Sequence, residues 1–141
     1  MLLITIRCFQ VRLTKNLLVH KLIFFWLAFS WTAIVLVLCL ISFNNVPSVN
    51  VQNFDKYVHV FFHFVFTFLW ILFLKEQTKN GNSKKPYLVS FLFSVFFGML
   101  IEIAQGAFTI NRQADVFDVL ANTTGAFLAV LVLSIYFRLK R

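Results

Sequence analysis

The chain has 141 residues, 60% of them hydrophobic and only 13% charged, with twenty Phe. A soluble domain needs more polar surface than that, so composition excludes one. The net charge of +8 is no nucleic-acid footprint, because the basic residues lie in short stretches beside apolar runs, where they set topology and meet anionic headgroups.

Met1–Lys21 interleaves apolar residues with Arg7, Arg12 and Lys15. Residues 1–21 form a basic juxtamembrane segment, read either as a helix lying on the membrane surface or as a leader without fixed structure. Leu22–Phe43 is the first apolar run. It is too long for the core of a cleavable signal, and no small-residue cleavage site follows it. Asn44–Phe54, with Pro47, is a polar turn. Tyr57–Leu74 is the second run, and Glu76–Pro86 a flexible loop holding Lys79, Gly81, Lys84 and Lys85. Tyr87–Gln105 is the third. Gly106–Asp115 turns through Thr109, Ile110, Asn111 and Arg112 into the fourth, Val116–Phe137, and a basic tail covers residues 138–141.

Each run is about twenty residues, the helical length that crosses roughly 30 Å of hydrocarbon. All four are apolar on every face, unlike the alternating segments of a membrane β-barrel. The expected fold class is therefore all-α, an integral membrane four-helix bundle with residues 22–137 as its one domain. Trp31 and Trp70 fall too deep in their runs for interfacial anchors. Cys8 and Cys39 would stand half a bilayer apart, so no disulfide is expected between them.

Charge sorts across these crossings. Arg7, Arg12, Lys15 and Lys21 share one side with Lys75, Lys79, Lys84, Lys85, Arg138, Lys140 and Arg141. The other side has only Lys56 and Arg112 among basic residues, together with Asp55, Glu102, Asp115 and Asp118. Basic flanks face the cytoplasm. The expectation is a multi-pass protein of the cytoplasmic membrane with both termini inside and its reactive side chains at the outer face.

Helical spacing suggests that those side chains converge. Asp55, His59 and His63 recur every four residues on the second helix. Ser90, Ser94, Gly98, Glu102 and Gln105 make a small or polar stripe on the third, and Asp118, Asn122, Gly125 and Ala129 another on the fourth. Small residues let helices approach in lipid, and polar ones bond across the contact. Turned inward, the stripes create an outer pocket lined by Asp55, His59, Glu102, Gln105, Arg112, Asp118 and Asn122, with Arg112 as partner for the acids. Structural roles compete: Asp55 and Asp115 stand where helix N-caps are favoured, His63 suits packing, and Asn122 with Gly125 suits interhelical contact. Asp55, His59, Glu102 and Asp118 offer metal-type donors, but no metal-ligand spacing motif accompanies them, so no metal is assigned. No cofactor is assigned either, since phosphate-binding glycine loops are absent.

Asp55-Lys56-Tyr57-Val58-His59, then Gly98, Glu102 and Gln105, Arg112, and Asp118, Asn122 and Gly125 resemble the VanZ-like family of small bacterial membrane proteins, over about Leu38 to Leu131. His63 and Ala129 depart from residues common there. The resemblance implies a bacterial envelope protein, and a link to glycopeptide resistance of the teicoplanin type. It supplies no established mechanism. A phosphotransbutyrylase label carried by some relatives fits poorly with an external polar cluster.

Three functions are in competition. In the first, the pocket binds an anionic lipid headgroup, a lipid-linked cell-wall intermediate or a partner protein: Arg112 grips a phosphate or carboxylate, while Gln105 and Asn122 read neighbouring groups and Asp55 completes the wall. In the second, a membrane enzyme uses Glu102 or Asp118 as general base with His59 as acid-base partner on a lipid-linked substrate. A proton- or ion-coupled carrier is third, with only Ser90, Ser94 and Thr67 to continue a path inward. Self-association of the chain stays open.

Overall fold

The computed structural model describes residues 2–41, 54–78, 84–108 and 115–140, the side chains of 2–18 and 108 excepted. Four helices account for nearly all of them: α1 (Leu2–Leu40), α2 (Phe54–Gln77), α3 (Lys85–Phe108) and α4 (Val116–Leu139). Each contains a stretch long and apolar enough to cross a membrane, namely Val19–Leu40, Phe54–Gln77, Lys85–Ala107 and Val116–Leu139. The chain is a multi-pass helical membrane protein. Large apolar side chains are exposed on all four helices, among them Trp26, Phe61, Leu92, Ile103 and Phe127. In water such surface would be untenable; in a bilayer it meets acyl chains.

The first helix continues through Lys21 without a break, so the basic segment and the first crossing are one rod. At 1.5 Å per residue it is about 58 Å long, far more than a crossing needs. The described part of residues 1–21 is thus helical rather than structureless.

Helices α2 and α4 form the closest pair, α3 packs against both, and α1 leans on α2 and α3 without reaching α4. The close approach follows from small residues. Ala121, Gly125, Ala126 and Ala129 are buried on α4, and a Cβ placed on Gly125 would run into the backbone carbonyl of Val60. With no apolar solvent gain between helices in lipid, dispersion contact of this kind holds the pair together.

Side-chain hydrogen bonds dock α1. Trp31 Nε1 donates to the Phe62 carbonyl at 3.1 Å, Trp70 Nε1 to Thr32 Oγ1 at 3.2 Å, and Gln105 Nε2 to the Cys39 carbonyl at 2.8 Å. The two deep indoles therefore join α1 to α2. Aromatic packing fills the interior beside them. Phe66 stacks on Phe97 with centroids 5.0 Å apart, and Trp70 meets Phe93 edge-on at 5.0 Å.

Candidate functional site

The polar stripes of α2, α3 and α4 face one another. His59, His63, Ser90, Ser94, Glu102, Gln105, Asp118 and Asn122 are all buried, although each helix is otherwise surrounded by apolar surface. They thicken into a cluster at the end of the bundle formed by the α2 and α4 N-termini and the α3 C-terminus. That placement suits groups whose burial in hydrocarbon costs several kcal/mol unless paired (about 2.5–3.5 for a charge at mid-bilayer).

His59 is the centre. Its Nδ1 lies 3.0 Å from Asn122 Oδ1, and because an amide oxygen only accepts, this contact is a hydrogen bond in the tautomer whose proton is on Nδ1. Nε2 faces Asp118 Oδ2 at 3.8 Å, while Glu102 Oε1 stands 4.0 Å from Nδ1. The two carboxylates are each held by their other oxygen. Asp118 Oδ1 accepts from Lys56 Nζ at 3.1 Å, and Glu102 Oε2 accepts from the Asp115 backbone N–H at 3.2 Å. Among the described residues Glu102 Oε1 has no hydrogen-bond partner, and Glu102 is only 3% exposed. One donor atom from each of His59, Glu102 and Asp118 lies within 4.8 Å of the other two.

Lys56 is the residue that sequence reasoning missed. Its ammonium bridges Asp115 Oδ2 at 2.9 Å and Asp118 Oδ1 at 3.1 Å, with Asp55 at 3.6 Å. Asp115 is the N-cap of α4, accepting from Phe117 N at 2.8 Å. The Lys56 hydrogen bond, helped by that backbone donor, holds the Asp115 carboxyl below the usual carboxylate range. A depressed value means that Asp115 favours folding at neutral pH and loses this contribution as pH falls through it.

The remaining expected residues are distributed differently. Asp55 lies in the first turn of α2 rather than at its cap, and its side chain is 53% exposed, outside the buried histidine–carboxylate group. Gln105 is turned to the α1 backbone. Arg112 lies outside the described residues. Deeper along the seam His63 Nδ1 meets Ser94 Oγ at 2.8 Å, and Gly98 leaves the room in which Asn122 and His63 sit.

Beside the cluster is a cleft of about 260 Å³ between α1 and α2, lined by Leu38, Cys39, Phe54, Asp55, Val58, His59 and Phe62. Its walls are mainly apolar, and His59 joins it to the buried carboxylates.

Fold and site define a polytopic helical membrane protein with a buried histidine–carboxylate cluster at one end of its bundle. The VanZ/LLP1 family model matches residues 9–137, and the chain belongs to that family. No curated protein and no solved structure matches it.

Proposed function

We propose that this VanZ/LLP1 protein binds the phosphorylated head of a lipid or lipid-linked envelope intermediate at the His59–Glu102–Asp118 end of the bundle. The observation that carries this reading is the cleft. An apolar wall of Leu38, Phe54, Val58 and Phe62 leads to His59 and thence to buried polar groups, a sequence of surfaces that suits an amphipathic ligand with its stem in the cleft and its head at the polar end of the bundle. The positive-inside rule puts this end on the extracytoplasmic side of a bacterial membrane. Glycopeptides act on that side, which gives the family's teicoplanin association a location here.

Lipid retained by the gently purified chain tests it. Mass spectrometry should find one phosphorylated lipid species enriched over bulk membrane lipid, and Val58→Trp, which fills the cleft, should abolish the enrichment while leaving the helices folded. A retained lipid profile equal to the bulk membrane would remove the reading. Orientation is checked separately, in a chain lacking Cys8 and Cys39. A cysteine at Asn50 should label from outside, and one at Asn80 only after permeabilisation.

A further inference from the structure

We infer that His59, Glu102 and Asp118 hold a divalent transition-metal ion at the base of the cleft. Acidic side chains in proximity do not make a metal site; here two further features do. Glu102 Oε1 is buried without a hydrogen-bond partner among the described residues and lies 4.0 Å from His59, an arrangement that would leave a costly orphaned acceptor in a low-dielectric interior. The other oxygen of each carboxylate is already fixed, Asp118 Oδ1 by Lys56 and Glu102 Oε2 by the Asp115 N–H. Asn122 likewise fixes the imidazole through Nδ1. Metal sites are built this way, with an outer set of hydrogen bonds orienting the ligands and choosing the histidine tautomer.

The donor set selects the ion. One imidazole nitrogen and two carboxylate oxygens suit zinc, manganese or ferrous iron, whereas magnesium and calcium favour oxygen alone. Three donors within 4.8 Å of one another need only a small inward shift to meet metal–ligand bonds of about 2.0–2.2 Å. Three protein ligands leave coordination positions for oxygens of a ligand.

The ion also resolves a conflict of sign. Asp55, Asp115 and Asp118 surround Lys56, the one basic side chain of the described cluster, Glu102 adds a carboxylate beside His59, and that excess of carboxylate opposes a phosphate. A bound dication reverses the local charge and offers a phosphate oxygen a direct ligand position. This bridging role rests on the headgroup reading; binding of the ion itself does not.

Purified full-length chain, stripped with EDTA and titrated with Mn²⁺ alone, provides the test by electron paramagnetic resonance. Stoichiometric Mn²⁺ binding is expected, displaced by Zn²⁺, with affinity reduced at least about tenfold in Glu102→Gln and in Asp118→Asn and unchanged in Glu76→Gln at the opposite end. Since those variants could unfold, the wild-type spectrum is decisive: bound Mn²⁺ should show electron spin-echo modulation from an imidazole nitrogen. Absence of stoichiometric binding, or binding without nitrogen modulation, overturns the inference. Lipid retained by metal-free chain would defeat the bridging role and leave the headgroup reading intact. Metal bound by a chain that retains no particular lipid would do the reverse.

Discussion

Replacing Gly125 by Leu is expected to destabilise the fold by at least about 3 kcal/mol, the upper end for overpacking a filled interior. The obstacle is backbone. The nearest atoms to an added Cβ are the Val60 carbonyl and the Phe64 nitrogen, which are fixed within α2 and cannot rotate aside. Helices α2 and α4 must separate, and with them His59 from Asn122 and Lys56 from Asp118. At Gly98 the neighbours are side-chain atoms, Asn122 Nδ2 at 2.9 Å and His63 Cε1 at 3.0 Å. Gly98→Ala should therefore cost less, about 1–2 kcal/mol, mainly by pushing Asn122 from His59. Thermal unfolding in detergent measures both. Equal effects at the two glycines would contradict a backbone-limited contact at Gly125.

Lys56→Met is expected to lower Tm by roughly 5 °C or more and to be rescued by removing charge rather than by restoring it. The ammonium is the common partner of Asp115 and Asp118, and Asp118 is largely buried. Without Lys56 the two carboxylates stand side by side at the N-terminus of α4, uncompensated, and an unpaired buried charge costs more than the pair ever contributes. Adding Asp115→Asn and Asp118→Asn relieves that repulsion, and Asn preserves the cap on α4 because it is as favourable there as Asp. Most of the lost Tm should return in the triple variant. Strictly additive losses would show that the three side chains act independently.

The membrane fold was legible because its signal is summed over some twenty residues per helix, and no single substitution alters it. The inward face of α4 was legible for a related reason. Asp118, Asn122, Gly125 and Ala129 are spaced by four, three and four residues, and at 100° per residue such alternation stays on one side of the helix. The stripe on α2 was traced in steps of four, which drift by about 40° each. Asp55 consequently lies about 80° from His63, whereas Lys56, seven residues before His63, lies only about 20° from it. The alternation Lys56, His59, His63 would have put the lysine on the buried face and the aspartate off it.

Other features leave no trace in periodicity. Gln105 falls in the middle of the α3 stripe at 100° per residue, yet its amide donates to the Cys39 carbonyl on α1. Which neighbour it meets is set by tertiary packing. The docking of α1 through Trp31, Trp70 and Gln105, and the cleft that results between α1 and α2, likewise depend on how an almost uniformly apolar helix is rotated. With little amphipathic contrast in α1, its sequence specifies no rotation.

Convergence of the three stripes is tested most directly by a cysteine pair at His59 and Asn122, in a chain lacking Cys8 and Cys39. The side chains now at those positions are in hydrogen-bond contact at 3.0 Å, so mercuric chloride should bridge the two thiols within one chain in native membranes. A control pair at Phe61 and Phe127, both exposed on the bundle surface, should stay unbridged. No bridge between 59 and 122, with bridging at 61 and 127, would mean that the polar faces look outward, and the site described here would not exist.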